Sequence, residues 1–238
     1  MGAVGLASSA RSVRVAGIGL EVPCYTEVRE DEALLRAGGP AVRVAVLADR
    51  GLSVGVGVPE SAAYLARARS EGIAVVRRSS GGTGVLHGPG DLAWSVVLPR
   101  DHALVGRDFV HAYDRLGRGA VRFLRARGRT ARWDPAPGWS EDCCLLGGRG
   151  RVLTVDGRVL GGAAQHASRS ALLHHGILPF RLDRPAIARV FDLSSPGPVD
   201  HLTGLAEQGV DRPTEATARS LAEALVAEIS GVEREGPP

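Results

Sequence analysis

The stretch Arg77-Arg78-Ser79-Ser80-Gly81-Gly82-Thr83-Gly84-Val85-Leu86-His87-Gly88-Pro89-Gly90 constrains this chain more than any other. Two arginines close the apolar run Ile73-Ala74-Val75-Val76, which reads as a short buried strand. A glycine-rich turn follows, then a histidine, a second turn, and a new strand from Asp91 to Leu98. Glycines at 81, 82 and 84 let the backbone take positive φ and approach a ligand closely. Their amides can converge on an anion or a polarised carbonyl. No Gly-Lys-Ser/Thr follows, so this is not a phosphate loop, and a strand rather than a helix comes next, which excludes the dinucleotide fingerprint. On chemistry alone, a ligand-binding loop and a structural glycine turn both remain open.

The order of residues, Arg-Arg, a small polar pair, Gly-Gly-x-Gly-Val-x-His and then a strand through Ser95, resembles the signature of the lipoate–protein ligase and octanoyltransferase family. That family lies in the biotin/lipoyl protein ligase superfamily. Asp31-Glu32-Ala33-Leu34-Leu35 is similar to its first helix, and Leu52 to Gly57 to its strand of alternating glycines. Gly161-Gly162-Ala163-Ala164-Gln165 and His175-Gly176 match two later motifs, with Ile177 where a hydroxyl residue would stand. The resemblance covers Glu27 to Leu178 and implies an α/β fold: a mixed, mainly antiparallel central sheet flanked by helices. It also implies a loop that encloses an eight-carbon acyl chain and, in the ligases, an acyl-adenylate.

At 238 residues the chain suits one α/β domain with a modest extension. We expect a catalytic domain over 1–185 and a helical extension over 186–238 packed on it, too short for a separate accessory domain. No apolar run approaches a membrane span, Met1 to Ala10 lacks a signal pattern, and three cysteines do not make a disulfide framework, so a cytoplasmic protein is expected. There is no lysine; every basic side chain other than histidine is arginine. The net charge of +3 is spread along the chain, which argues against a nucleic-acid partner. Scattered arginine suits an acidic carrier protein or a plain solvated surface equally.

Helices are expected over Glu27 to Arg36, Ser61 to Glu71, Arg107 to Arg127, Arg184 to Phe191 and Thr214 to Ile229. The third carries Phe109, Val110, Tyr113, Leu116, Ala120, Val121 and Leu124 at three- and four-residue steps, an amphipathic core face. Ala41 to Leu47 and Leu52 to Val58 look like a hairpin around Asp49-Arg50-Gly51; Arg151 to Val155 and Arg158 to Gly162 look like another around Asp156-Gly157. Trp133 to Trp139 reads as proline-broken and irregular, and His174 to Leu178 as a strand.

The resemblance implies attachment of lipoate or octanoate to a lysine of a lipoyl domain by one of two routes. Ligases activate the free acid with ATP and magnesium; transferases take octanoate from an acyl carrier protein thioester, commonly through a cysteine. Cys144 lies fifteen residues before Val159, the spacing that one group of octanoyltransferases keeps between nucleophile and lysine. A thiolate attacks thioesters readily, and the new thioester stays reactive toward an amine. Arg78 and His166 are candidates to activate it; the competing view makes Cys143 and Cys144 small buried hydrophobes. Val159 replaces the lysine that polarises the acyl carbonyl or holds the phosphate, and should face the acyl pocket. Binding of acyl chain and carrier then falls to Arg77, Arg78, Ser80, Gly81, Gly82, Thr83, Gly84 and His87, with Gly162, Ala163, Ala164, Gln165 and His175. His174 and His175 with Cys144 match no zinc spacing, so no metal is expected beyond magnesium in a ligase. An ATP-dependent ligase and a non-catalytic acyl- or lipoyl-domain-binding relative, such as a subunit of a split ligase, are the alternatives.

Overall fold

The computed structural model describes residues 13–105, 109–147, 150–193 and 196–235. The chain opens with β1 (Arg14–Val22), α1 (Cys24–Ala37), β2 (Ala41–Leu47), β3 (Gly51–Val54), α2 (Ala63–Ser70), β4 (Ala74–Arg77), β5 (Gly84–His87) and β6 (Leu92–Pro99). It continues through α3 (Phe109–Arg125), β7 (Ala131–Pro135), β8 (Arg151–Val155), β9 (Arg158–Ala167) and β10 (Ala171–Leu178). Helices α4 (Arg184–Phe191), α5 (Pro196–Asp200) and α6 (Glu215–Glu235) complete it. Seven strands form one sheet in the order β1-β2-β6-β10-β9-β8-β7, and three form a second, β4-β3-β5. Among the strands of the described residues, β1/β2 and β3/β4 pair in parallel and the other pairs are antiparallel, so the mixed, mainly antiparallel sheet flanked by helices is the architecture found.

Every residue of β2 is buried, as a strand covered on both faces requires. On one face, Ala112, Leu116, Ala120, Phe123 and Leu124 of α3 share a core with Ala218, Leu221, Leu225 and Ile229 of α6 and with Val42, Val44 and Trp94 of the sheet. Each large side chain fully buried there stabilises the fold by about 1.5–3 kcal/mol. The other face carries the second sheet and α1, and the cavity opens between them.

Several expectations are corrected. The strands around Asp49-Arg50-Gly51 do not form a hairpin: β2 pairs with β1 and β6, whereas β3 pairs with β4 and β5 in the second sheet. The Leu47 N–H donates to the Asp91 carbonyl (2.9 Å), and the Leu47 carbonyl accepts from Gly90 N–H (2.8 Å), so the chain leaves β2 beside the start of β6. Asp49 then caps the start of α1, its Oδ1 accepting from Cys24 N–H at 2.8 Å, and α1 begins three residues before the expected Glu27. Strand β4 is an edge with Ala74 exposed, not a buried strand. Trp133 belongs to a strand, β7, because residues 131–135 pair antiparallel with β8. Arg107, the expected start of the third helix, lies outside the described residues. Among the described residues, no helix is long and apolar enough to cross a membrane.

Candidate active site

A cavity of about 730 Å³, counting its open mouth, lies between α1, the glycine loop and the ends of β8, β9 and β10. Val28, Leu47, Val85, Ala93, Leu145, Val152 and Ile177 give it apolar walls. Cys24, Glu27 and Asp31 from α1, Ser53, Arg78, His87, Tyr113, Cys144, Arg151 and His175 bring polar groups to the same space. A mostly apolar cleft with a few convergent polar groups is the form of a small-molecule site.

Cys144 is stitched to the loop by two backbone bonds: its N–H donates to the Gly84 carbonyl (2.8 Å), and Gly84 N–H donates to the Asp142 carbonyl (2.9 Å). The segment is a turn rather than a strand, yet the two cysteines still face opposite ways. Cys143 is buried in an apolar cluster with Tyr64, Leu145 and Leu146, and burial pushes its thiol up to about 12. Cys24 is pushed up to about 12 as well, by burial and then by Asp49. Cys144 is half-buried and lines the cavity.

Above it sits Gly82, at φ +88°. A Cβ there would stand 2.9 Å from Arg78 Nη2 and 3.3 Å from Cys144 Sγ, so thiol and guanidinium crowd one bare patch of backbone. The Gly55 backbone presses on the Gly82 carbonyl from the other side, the close approach that strand glycine implied. Arg78 is 5% exposed, and every N–H it has is committed. Nε donates to Ser80 Oγ (3.1 Å), Nη1 to Ser53 O (3.0 Å) and Oγ (3.4 Å), and Nη2 to the carbonyls of Gly81 (2.9 Å) and Thr83 (3.0 Å). Burial holds its pKa below the usual arginine value, with the charge of Cys144 opposing that shift. Arg77 turns away: it donates to the carbonyls of Gly55 (3.0 Å) and Val58 (2.6 Å) and pairs with Glu60.

A second chain of polar contacts closes the cavity floor. His175 Nδ1 lies 2.6 Å from Asp31 Oδ2, and His175 Nε2 lies 2.7 Å from Ser80 Oγ. Ser95 donates its hydroxyl to the other oxygen of Asp31. The chain Ser95–Asp31–His175–Ser80–Arg78 thus joins the large sheet, α1 and the loop. His87 Nε2 meets Ser53 Oγ at 2.7 Å, and the ring nitrogens are enclosed although the residue is partly exposed overall. Burial, then the Arg78 charge, pushes its pKa down to about 3, so the ring is neutral. Glu27 pairs with buried Arg43, and its Oε1 has no hydrogen-bond partner. Burial and the nearby Asp31 push its carboxyl upward against the pull of Arg43.

Of the residues singled out in the sequence, Arg78, His87, Cys144, Gly162, Ala163, Ala164 and His175 line the cavity. Arg77, Ser80, Gly81, Gly82, Thr83, Gly84 and Gln165 do not; the loop residues stand behind the wall as its frame. Gln165 ties β9 to α3 instead, its amide oxygen accepting from His174 Nδ1 (3.2 Å) and Tyr113 N–H (3.1 Å) and its nitrogen donating to Phe109 O (3.1 Å). His166 is also absent from the lining. Val159, expected to face the pocket, does not line this cavity: it is 5% exposed, in the apolar cluster that holds Leu146, Val199 and Leu202. Sequence reasoning missed Cys24, Glu27, Asp31, Ser53, Tyr113 and Arg151. The first three carried a signal, since residues 24, 27 and 31 recur at three- and four-residue steps on one helix face.

A model of the lipoyl protein ligase A/B catalytic domain matches residues 35–229. The chain belongs to that family. It is 28% identical over 187 residues to octanoyltransferase LipM of Macrococcus caseolyticus, covering 72% of this chain and 67% of that one. It is 29% identical over 148 residues to octanoyltransferase LipM of Exiguobacterium sp., covering 58% and 53%. The fold is similar to that of the bi-partite lipoate protein ligase from Thermoplasma acidophilum, with a TM-score of 0.70, 20% identity and coverage of 92% and 83%. Of the family motifs quoted from the sequence, those on β9 and β10 form walls of the cavity, while the loop motif reaches it through Arg78, Val85 and His87.

Proposed function

We propose that this chain acts in protein lipoylation as an acyltransferase, passing an octanoyl or lipoyl group from a carrier-protein thioester to Cys144 and then to a lipoyl-domain lysine. One observation carries the reading: the Cys144 thiol stands inside an apolar-walled cavity beside Gly82 and a buried arginine, while Cys143 turns away into the core.

The thiolate of Cys144 attacks the carbonyl carbon of the incoming thioester, and the carbonyl oxygen takes the negative charge. Collapse expels the carrier thiolate, which takes a proton, and leaves the acyl group on Cys144. The lysine amine then attacks the new thioester, loses a proton as the amide forms, and releases Cys144. The apolar walls hold the acyl chain and exclude water from the thioester. Arg78 contributes charge and frames the loop; with all its N–H groups committed it offers no hydrogen bond to substrate. The octanoyltransferase relatives support this route, and a thioester donor needs no ATP. The ATP-dependent route fits this chain less well, because the family's phosphate-holding cation would stand at Val159, inside an apolar cluster.

The test mixes the purified chain with octanoyl carrier protein and reads intact mass. An octanoyl adduct that maps to Cys144, disappears in Cys144→Ser and is discharged by a lipoyl domain is the expected result. No adduct, with lipoyl-domain modification from lipoate and ATP instead, would assign the ligase route. Acyl binding without either product would make the chain a non-catalytic relative.

A further inference from the structure

The acyl-transfer reading fixes the carbonyl end of the acyl chain at Cys144 and leaves its far end unassigned. We propose that Cys24, seated over Gly51 at the closed end of the cavity, is the wall that stops the chain and sets the length Cys144 accepts. The inference rests on the transfer reading above and deepens it. The cavity has an open side and a closed one. Gly162, Ala163, Ala164 and His175, on β9 and β10, are partly exposed and stand at the open side. On the closed side, Leu47, Val85, Ala93 and Ile177 form one buried cluster, and Cys144 packs against it. From that cluster the cavity runs on past Ser53, His87 and Val28 to Cys24, which is 4% exposed.

Three residues close that end together. A Cβ on Gly51 would stand 2.9 Å from both Cβ and Sγ of Cys24, so the cysteine side chain fills the space the glycine leaves bare. Gly51 pairs with His87 across the β3–β5 ladder, and the His87 ring is held by Ser53 Oγ at 2.7 Å. On the far side of His87 lies a second cavity lined by Arg50, Arg181 and Asp183, where an apolar tail would meet charge. Cys24 has no room to withdraw, because it is the first residue of α1 and its N–H is held by Asp49 Oδ1 at 2.8 Å. Burial and then Asp49 keep its thiol protonated, so it meets the chain end as a small neutral surface.

The register of the second sheet gives the distance. Cys143 bridges to Gly84 on the side of β5 away from β3, so Cys144 lies level with Val85, whose partner on β3 is Ser53. Gly51 is therefore two strand spacings across from Cys144 and one two-residue step along. At about 4.8 Å per strand and about 3.4 Å per residue, the two stand about 12 Å apart. An extended chain advances about 3.5 Å for every three bonds, so the new thioester bond and the seven carbon–carbon bonds of an octanoyl group reach about 9 Å. A contact distance of about 3.5–4.0 Å between the terminal methyl and Cys24 takes up the rest. Each further carbon runs into the wall.

The experiment sets Cys24→Ala and Cys24→Leu beside wild type and reads the rate of acyl-Cys144 formation by intact mass. The donors are pantetheine thioesters of hexanoate through decanoate. In wild type the rate should fall on the order of tenfold from octanoyl to nonanoyl, as for one methylene too many in a closed apolar pocket. Cys24→Ala should raise the nonanoyl-to-octanoyl ratio about tenfold, and Cys24→Leu should lower the octanoyl-to-hexanoyl ratio by about as much. The alanine variant only removes atoms, so it carries the test if the leucine variant melts early. A wild-type length profile in folded Cys24→Ala overturns the proposal. Equal rates for octanoyl and decanoyl donors in wild type overturn it as well. If wild type forms no acyl-Cys144 with any donor, the transfer reading fails, and calorimetry with the free acids of the same lengths reads the wall alone. A length limit that moves with residue 24 then keeps this inference, and one that stays put overturns it.

Discussion

Val159 is bonded to the segment around Leu202 on both sides of its peptide: its N–H donates to the His201 carbonyl, and its carbonyl accepts from Thr203 N–H, each at 2.8 Å. This short parallel bridge lays Leu202 beside Val159 and closes the apolar cluster over its side chain. A register shift follows at once on the β8–β9 ladder, where Leu153 faces Gly161 but Thr154 faces Val159. The shift separates Val159 from the cavity-lining residues that begin at Gly162.

Val159→Lys should therefore destabilise the chain rather than restore a lost activity. An ammonium forced into that cluster costs several kcal/mol or loses its proton. At about 2–4 °C per kcal/mol for a chain of this size, the melt should drop by roughly 10 °C. Thermal denaturation checks it, alongside an assay for ATP-dependent ligation, which should stay silent. A variant that melts like wild type and gains transfer would mean that a lysine at 159 threads into the cavity after all.

Gly82→Val should disable the thiol without unfolding the chain. Gly82 sits at φ +88°, where a β-branched residue is strained by about 1–3 kcal/mol. The added carbons would also crowd Cys144 Sγ and Arg78 Nη2. Alkylation of Cys144 by iodoacetamide should slow at least tenfold, with only a modest fall in the melt. Labelling of Cys144 at the wild-type rate in the variant would remove Gly82 from the site.

How much could be read beforehand depended on how local the cause was. The α3 stripe, apart from Val110, which is 73% exposed, and the Asp156-Gly157 hairpin, with φ of 50° and 79° at its tip, are set by neighbours in sequence and were legible. The strands β2 and β3 look like a hairpin because β-branched runs around Asp-Arg-Gly read the same whether or not they pair. What separates them is a non-local bond set between Leu47 and residues 90–91. The glycine loop was legible as a loop, but not as the frame behind a wall. Glu27 and Asp31 were hidden for a similar reason: their partners Arg43, Ser95 and His175 lie 16, 64 and 144 residues away.

Asp91 should give the chain a stability that declines toward neutral pH. It is 1% exposed, with Oδ2 accepting from Gly88 N–H (2.9 Å) and Oδ1 from Phe180 N–H (2.8 Å). Burial outweighs those two donors and pushes its carboxyl up to about 7. The unfolded value is about 3.9, so the folded chain holds this proton more tightly. Its contribution is complete below about pH 4 and is lost as pH rises toward 7, at a limiting slope of about 1.4 kcal/mol per unit. Asp91→Asn cannot titrate, so the stability gap between wild type and variant should narrow from pH 5 to pH 8. Urea melts across that range decide it; a gap that stays constant or widens would contradict the raised pKa.

Arg78 can be tested as frame or as charge. Replacing it with methionine leaves the carbonyls of Ser53, Gly81 and Thr83 and the Ser80 hydroxyl without their donor. Each buried group left unpaired costs about 1–3 kcal/mol, so Arg78→Met should lower stability by several kcal/mol and expose residues 79–84 to protease. Arg78→Lys keeps the charge but has three donors where five are in use. If the guanidinium acts mainly as the frame of the loop, Arg78→Lys should melt and be cleaved almost as Arg78→Met is, and both should lose acyl-Cys144. If charge beside Cys144 is what matters, Arg78→Lys should keep most of the acylation rate despite its lower melt. The full set of committed N–H groups favours the first outcome, because a side chain placed to serve substrate would have kept a donor in reserve.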